Sequence, residues 1–233
     1  QMITGYAPDM TKMIRMLGSD HARQLWELSL DATHIVHDRI NKHQIDAEYK
    51  PGYVLAAARP GHMTALSAEQ ECLSGLGYAQ SRIVDRGELG AIVASSRFHG
   101  GLVDMGSGHL HPLKYVRGLA RAATAAGVRI FEHSRAERIL PANESGPGAP
   151  AAAFTDRGVV RAGNLVLCCN AYIGNLQRHV RSRIMPVGTY IIATEPMSEA
   201  RATALLPTAC CVSDTNFVLD YFRLSADHRM LFG

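Results

Sequence analysis

Apolar positions recur at helical spacing through residues 8–41. Ser19-Asp20 can cap a second helix there, and Leu25, Leu28, Leu30, Ile35 and Ile40 gather near one face. The period then shortens to that of extended chain. Ile45 to Lys50 and Tyr53 to Ala58 flank the turn dipeptide Pro51-Gly52, which predicts a hairpin. Ser67 to Leu76 reads as helix closed by Gly77, residues 85–94 as a short helix, and 97–104 as a strand. From His111 to Leu140 the pattern is clearest. Pro112 opens a helix with Val116, Leu119, Ala120 and Ala123 on one face, Gly127 ends it, and Val128 to Phe131 reads as a strand. Ala151–Thr155, the Asp156-Arg157-Gly158 turn and Val159-Val160 predict a hairpin. The continuous apolar run Leu165 to Cys168 suits a strand buried on both faces. After a helical Ala171–Gln177, strand signals fall at Ile184–Met185, Tyr190–Thr194, Cys211–Val212, Phe217–Leu224 and Met230–Phe232. A helix–strand unit with strand-rich flanks predicts an α/β plus α+β chain.

With 233 residues, the chain has length for one large domain or two interleaved ones. A hydrophobic content of 47% with 19% charged residues excludes wholesale disorder. The formal charge of +3 is too small to imply a nucleic-acid partner, and no apolar run approaches the ~18 residues of a membrane span. The five cysteines include two adjacent pairs, Cys168–Cys169 and Cys210–Cys211, and no CxxC, a poor framework for disulfides or zinc. Reduced, mostly buried thiols in a cytoplasmic compartment are the expectation. The chain starts on Gln1 and stops in the apolar Met230-Leu231-Phe232-Gly233, so both ends look cut.

Candidate chemistry is sparse. Asp31, His34, His37 and Asp38 share helical spacing, and His109 and His111 form an HxH pair, but neither set has metal-site spacing. A solvated helix face and a capped helix start explain them better, so no metal is expected. Gly106-Ser107-Gly108 ahead of a helix offers backbone donors to an anion, yet GxGxxG is absent and so is a GxSxG elbow. In LDYFRLS, alternation places Asp220 and Phe222 on one strand face and Tyr221 and Arg223 on the other, where they line a pocket or form an exposed cross-strand pair.

Four collinear segments, GGLVDMGSGHLHPLKYVRGLARAATAAGVRIFEHS, NLVLCCNAYIGNL, MPVGTYIIATEP and VSDTNFVLDYFRLSADHRMLFG, resemble the D-amino-acid-oxidase family of FAD-dependent amine oxidoreductases, in particular its gamma-glutamylputrescine oxidoreductase branch. The resemblance implies part of a FAD-binding Rossmann-like domain (residues 1–43 and 106–180). That portion would interleave with a mainly antiparallel substrate-domain sheet (44–105 and 181–233). The first βαβ unit with its GxGxxG would lie upstream of Gln1, which resembles the last residue of a flavin-adjacent segment, so the chain reads as an internal fragment. The same resemblance puts Ala136 at the FAD adenine, where the family usually has Val. It puts Cys168, Cys169, Asn170 and Tyr172 on the turn that approaches the cofactor, and Tyr190, Tyr221 and Arg223 in substrate positioning. No residue is assigned catalysis. The implied reaction is hydride transfer from the carbon beside an amine to flavin, giving an imine that hydrolyses to aldehyde or keto product, with oxygen or another acceptor reoxidising the flavin. Two alternatives stay open: a non-catalytic binding module, and a D-amino acid dehydrogenase or sarcosine-oxidase-like enzyme. The fragment alone is expected to hold no FAD.

Overall fold

The structure is a computed structural model describing residues 1–144 and 146–233, and the chain forms two compact units, 1–126 with 190–233, and 127–189. In the larger unit, α1 (Met10–Leu17) starts where Asp9 accepts a hydrogen bond from the Lys12 amide at 2.6 Å, and Gly18 at φ 81° separates it from α2 (Ser19–Lys42). Then come β1 (Lys50–Ala56), α3 (His62–Gly75), β2 (Ser81–Asp85), α4 (Arg86–Gly90), β3 (Gly100–His109) and α5 (Pro112–Ala125). The smaller unit holds β4 (Arg138–Leu140), β5 (Ala151–Thr155), β6 (Gly158–Ala162), a 3-10 turn (Asn170–Ile173) and α6 (Arg178–Arg181). The larger unit resumes with β7 (Ile192–Ala193), α7 (Glu199–Leu205), β8 (Cys211–Asp214), β9 (Tyr221–Leu224) and β10 (Met230–Phe232).

Seven strands form one sheet in the order β2-β3-β1-β8-β9-β10-β7, with β1 and β8 parallel and the other pairs antiparallel. One face is apolar: Val54, Val103, Val212 and Leu224 pack under Leu89 and Val93 from the α4 region and Ala202 and Leu206 from the α7 region. A second core joins Met10, Met13, Trp26, Leu73 and Tyr78, with the Trp26 and Tyr78 rings edge to face at 5.1 Å. Residues 1–43 and 106–126 therefore lie in one compact unit with 44–105, and the unit boundaries fall at 126/127 and 189/190.

Several sequence expectations need correction. Pro51-Gly52 is no hairpin turn, because β1 runs through it. Proline brings no N–H to a ladder, and the register with β3 shifts between Pro51 and Tyr53, the place where a strand tolerates one. Residues 45–49 are ordered loop, with Ile45 buried where α5 leaves space at Gly118, since a Cβ there would strike the Ile45 side chain. Gly106-Ser107-Gly108 lies inside β3 rather than at a helix start, and side chains at its two glycines would run into the Tyr78 hydroxyl and the Lys50 carbonyl. Neither Val128–Phe131 nor Leu165–Cys168 is a strand, and Ile184–Met185 is not one either. Among the described residues none of the three has a ladder partner, and Val166, expected to be buried on both faces, is 78% exposed. The hairpin β5–β6 stands as expected, with Thr155 opposite Gly158.

Candidate functional site

The register of the large sheet assembles one site face. Residues directly opposite across a ladder share a face, and so do alternate residues along a strand. Tyr53 lies opposite both Asp104 and Cys211, and Ser213 lies opposite Tyr221. Asp104, Tyr53, Cys211, Ser213, Tyr221 and Arg223 therefore line the face away from the Val54–Val212 core. Gln1 is tied to it: its Nε2 donates to the Val212 carbonyl and its Oε1 accepts from Ser213 Oγ, both at 3.2 Å. Next along, Met2 exchanges two backbone hydrogen bonds with Gly108, at 2.7 and 2.8 Å.

At the end of this face sits His109, only 2% exposed. Its Nε2 lies 3.0 Å from the Ala209 carbonyl, which can only accept, so that nitrogen carries the proton. Nδ1 is then free to accept from Arg223 Nη1 at 3.3 Å. The electrostatics of the face follow from burial. Desolvation pushes the Tyr53 phenol and the Cys211 thiol up to about 12, and pulls His109 down to about 4 with help from the nearby Arg223 cation. Arg223 itself is lowered by burial. Each of these shifts favours a neutral form, as expected for a floor sheltered from water. Asp104 is buried too, and it is well provided with donors: Tyr78 and Ser107 hydroxyls at 2.5 Å, Gly106 N at 3.0 Å and Thr4 Oγ1 at 3.1 Å. It is a structural anchor for the segment that carries Gln1.

Of the residues expected to position substrate, Tyr221 and Arg223 share this face, half-buried, whereas Tyr190 lies ahead of β7 and is 84% exposed. Asp220, on the opposite alternation, is ion-paired with Arg97 at 2.7 Å. His109, Lys50 and Tyr53 are the participants that sequence reasoning missed. The HxH pair had been read as a capped helix start, which describes His111: its Nδ1 accepts from the Lys114 amide at 3.4 Å. Simple alternation from Asp104 places His109 on the other face, and only the register shift in the β1–β3 ladder brings it to this site.

The smaller unit contains a second candidate. A cavity of about 390 Å³ is lined by Arg135, Ala136, Cys169, Tyr172, Asn175 and their neighbours. Segments more than thirty residues apart thus converge, and three of the residues expected near a cofactor lie together. Cys168 and Asn170 do not line it. Cys168 is exposed, and Asn170, at φ 47°, accepts a hydrogen bond from the next amide at 2.8 Å. The expectation that both cysteine pairs are buried holds for Cys210–Cys211 and fails for Cys168–Cys169, because the run before the latter has no strand partner. All five cysteines are free, and no helix among the described residues is long and apolar enough to cross a membrane.

Comparison with known proteins defines the family. Residues 4–233 match the model described as FAD dependent oxidoreductase. The whole chain is 37% identical to the probable oxidoreductase OrdL of Haemophilus influenzae and 34% identical to the gamma-glutamylputrescine oxidoreductase of Escherichia coli, covering 54% of each. It thus spans about half the length of the curated relatives it matches. Among solved structures, glycine oxidase from Bacillus cereus superposes with a TM-score of 0.69 at 16% identity, over 92% of this chain and 58% of that one. L-amino acid deaminase from Proteus vulgaris also gives 0.69, at 18% identity, over 100% of this chain and 50% of that one. These structures share the fold, and the sequence match sets the relationship: the chain belongs to the DAO family of FAD-dependent oxidoreductases.

Proposed function

We propose that this chain works in a flavoenzyme that oxidises a C–N bond of a small amine or amino acid, with a gamma-glutamylated diamine as the foremost substrate class. The observation that carries the reading is the convergence of Ala136, Cys169 and Tyr172 on one cavity. The fit to FAD rests on what lines it. The small Ala136 side chain leaves room beside it, the Tyr172 ring is 95% exposed and offers a stacking face, and Arg135 offers donors to an anionic group. At about 390 Å³ the cavity takes one end of such a group rather than the whole. Ala136, Cys169 and Tyr172 would hold the adenine end, with Cys168 and Asn170 in the adjoining turn. When bound, FAD supplies the two-electron acceptor for a hydride.

The chain's own residues provide the surroundings. The face around Tyr53, Cys211 and His109 is desolvated, and an amine brought against it loses its proton more readily than in water, the state in which its carbon releases a hydride. Arg223 and Tyr221 orient the substrate, with Tyr190 a third positioning candidate. In this reading residues 1–43 and 106–180 serve the cofactor and 44–105 and 181–233 the substrate. The identity to gamma-glutamylputrescine oxidoreductase supports the substrate class.

The test is an absorbance scan of the protein in whatever length its gene encodes, purified with FAD and desalted, then mixed with amines under anaerobic conditions. A flavin spectrum that bleaches with gamma-glutamylputrescine or a related amine supports the reading. A colourless protein, or a spectrum indifferent to every amine and amino acid, overturns it.

A further inference from the structure

Residues 164–169 enter the 3-10 turn (Asn170–Ile173) without a ladder partner among the described residues, and they bring two adjacent thiols to the surface. Cys168 is exposed, and Cys169 is half-buried against the cavity that Ala136 and Tyr172 also line. The cofactor reading uses the shape of this turn and leaves its thiol chemistry unused.

Backbone conformation decides which of the two cysteine pairs can close on itself. Cys210 packs into the apolar core, while Cys211, opposite Tyr53 in the β1–β8 register, belongs to the other face of the sheet. Successive side chains of an extended chain point about 180° apart, so these sulfurs are held on opposite sides. Ladders to β1 and β9 keep β8 extended. Cys169 has a turn conformation instead, with φ −83° and ψ −11°. At helical dihedrals successive side chains diverge by only about 100°, and no ladder among the described residues holds this segment. A bond between neighbours is still a strained one. Adjacent Cα atoms lie about 3.8 Å apart across a trans peptide, against ~4.4–6.8 Å in ordinary disulfides. Strained or exposed disulfides are the ones that reopen readily, as a reversible site requires.

We propose that Cys168–Cys169 is a reversible dithiol–disulfide site for exchange with small disulfides, and that its closure loosens the turn beside the cavity. Cys168, having given its proton to solvent, attacks one sulfur of a disulfide RSSR as thiolate. The S–S bond breaks, one RS⁻ leaves, and Cys168 carries a mixed disulfide. Cys169, likewise deprotonated, attacks Cys168 Sγ and expels the second RS⁻. The two leaving thiolates take up the two protons released, so two protein thiols are oxidised and one RSSR is reduced to two RSH. Exposure sets the order: the reagent reaches Cys168 first, and Cys169 has only to reach its neighbour. The Cys169 carbonyl accepts from the Tyr172 amide at 3.0 Å, and this bond links the pair to the cavity wall. An effect on a bound cofactor rests on the flavoenzyme reading; the exchange itself does not.

The test treats the reduced protein with oxidised glutathione, blocks free thiols with N-ethylmaleimide at low pH, and weighs the tryptic peptides. Peptide 162–178 carries Cys168 and Cys169 alone, and peptide 202–223 carries Cys210 and Cys211 alone as an internal control. The expected result is an unblocked 162–178 that is two hydrogens lighter than its dithiol and is restored by dithiothreitol, with 202–223 fully reduced. C169S, which lacks the resolving thiol, should stop at a 162–178 peptide carrying one glutathione. In the 15N-labelled chain, oxidation should speed solvent exchange of the Tyr172 amide about tenfold, the worth of one hydrogen bond. A 162–178 peptide that stays reduced, or that accumulates glutathione without closing, overturns the site. Equal closure of 202–223 overturns the conformational argument, and unchanged Tyr172 exchange overturns the coupling to the turn. The reaction contains neither flavin nor amine, so its failure leaves the flavoenzyme reading to be judged on its own spectrum.

Discussion

Two segments carry the same short pattern, an adjacent pair of cysteines inside an apolar run, and reach opposite environments. Cys210 and Cys211 are buried at the start of β8, with Cys211 Sγ 3.5 Å from the carbonyl oxygens of Gly52 and Gly108. Cys168 is exposed, Cys169 half-buried, and Val166 beside them is largely open. Hydrophobicity does not separate the two. Strand partners do: β8 has β1 on one edge and β9 on the other, so both its edges and both its faces are occupied. The 165–168 run has no ladder at all among the described residues. Burial in a sheet is conferred by neighbours, and an apolar run without them stays open.

The largest effect that separates the two pairs is chemical. A thiol at about 12, as at Cys211, is ionised at pH 8 to only about one part in ten thousand, and thiolate is the reactive form. An aromatic disulfide reagent on the native chain should therefore modify Cys168 at least about a thousandfold faster than Cys210 or Cys211, whose reaction waits for unfolding. All five thiols should be recovered in denaturant. Comparable native rates for the two pairs would break the comparison.

A charge tests the same contrast thermodynamically. Val212 is fully buried between β1 and β9, so Val212→Asp places an unpaired carboxylate in the core and should cost about 3 kcal/mol or more, a large part of a domain's stability. Val166→Asp should change stability by less than about 0.5 kcal/mol. Urea titration followed through Trp26, the single tryptophan and a core residue of the larger unit, reads the first variant, and circular dichroism the second. If Val166→Asp unfolds the smaller unit, its open segment is packed after all.

What the sequence revealed follows the same division. Helices were legible as elements because their pattern is local, and α5 starts at Pro112, but their buried faces were not: α2 buries Ala22, Trp26, Ser29 and Thr33, while Leu28, Ile35 and, on α5, Val116 are exposed. The β5–β6 hairpin was legible because its turn lies between its own two strands. Strands whose partners are remote were not. Pro51-Gly52 carries the composition of a turn, yet β1 continues through it because β3 and β8, some fifty and one hundred and sixty residues on, hold it extended. The site divides likewise. Tyr221 and Arg223 share a face by alternation within one strand, whereas His109 is held by Ala209 and Arg223, each at least a hundred residues away. Family resemblance supplied Ala136, Cys169 and Tyr172, a grouping that local pattern alone could not assemble.

His109 gives an effect of middle size and a definite sign. Its folded pKa of about 4 lies below the ordinary 6.5, so the unfolded chain binds the extra proton first as pH falls. Its contribution is fully present above pH 6.5, declines between 6.5 and 4, and changes no further below that; about 3 kcal/mol is at stake. Urea midpoints measured from pH 7.5 to 4 should fall more steeply for the parent than for H109N. Parallel curves would mean that the imidazole is not held neutral in the fold, and the face around Arg223 would be wetter than its burial implies.

The smallest effect concerns a buried polar group without a partner among the described residues. Ser81, on β2 opposite Asp104, is 7% exposed, and its Oγ has no hydrogen-bond partner among the described residues. Asp104 is already taken up by Tyr78, Ser107 and Thr4, so it is not available to Ser81. A buried hydroxyl without a partner costs about 1–3 kcal/mol, while replacing it by a methyl group removes one oxygen and leaves little empty space. Ser81→Ala should therefore be neutral or stabilising by up to about 1 kcal/mol. Ser213→Ala on the same sheet should instead cost about 0.5–1.5 kcal/mol, because Ser213 Oγ donates to Gln1. Melting curves of the two variants side by side give the sign directly. A loss at Ser81 as large as that at Ser213 would show that the hydroxyl is satisfied, by an ordered water if not by protein, and that polar closure of the larger unit extends to its edge strand.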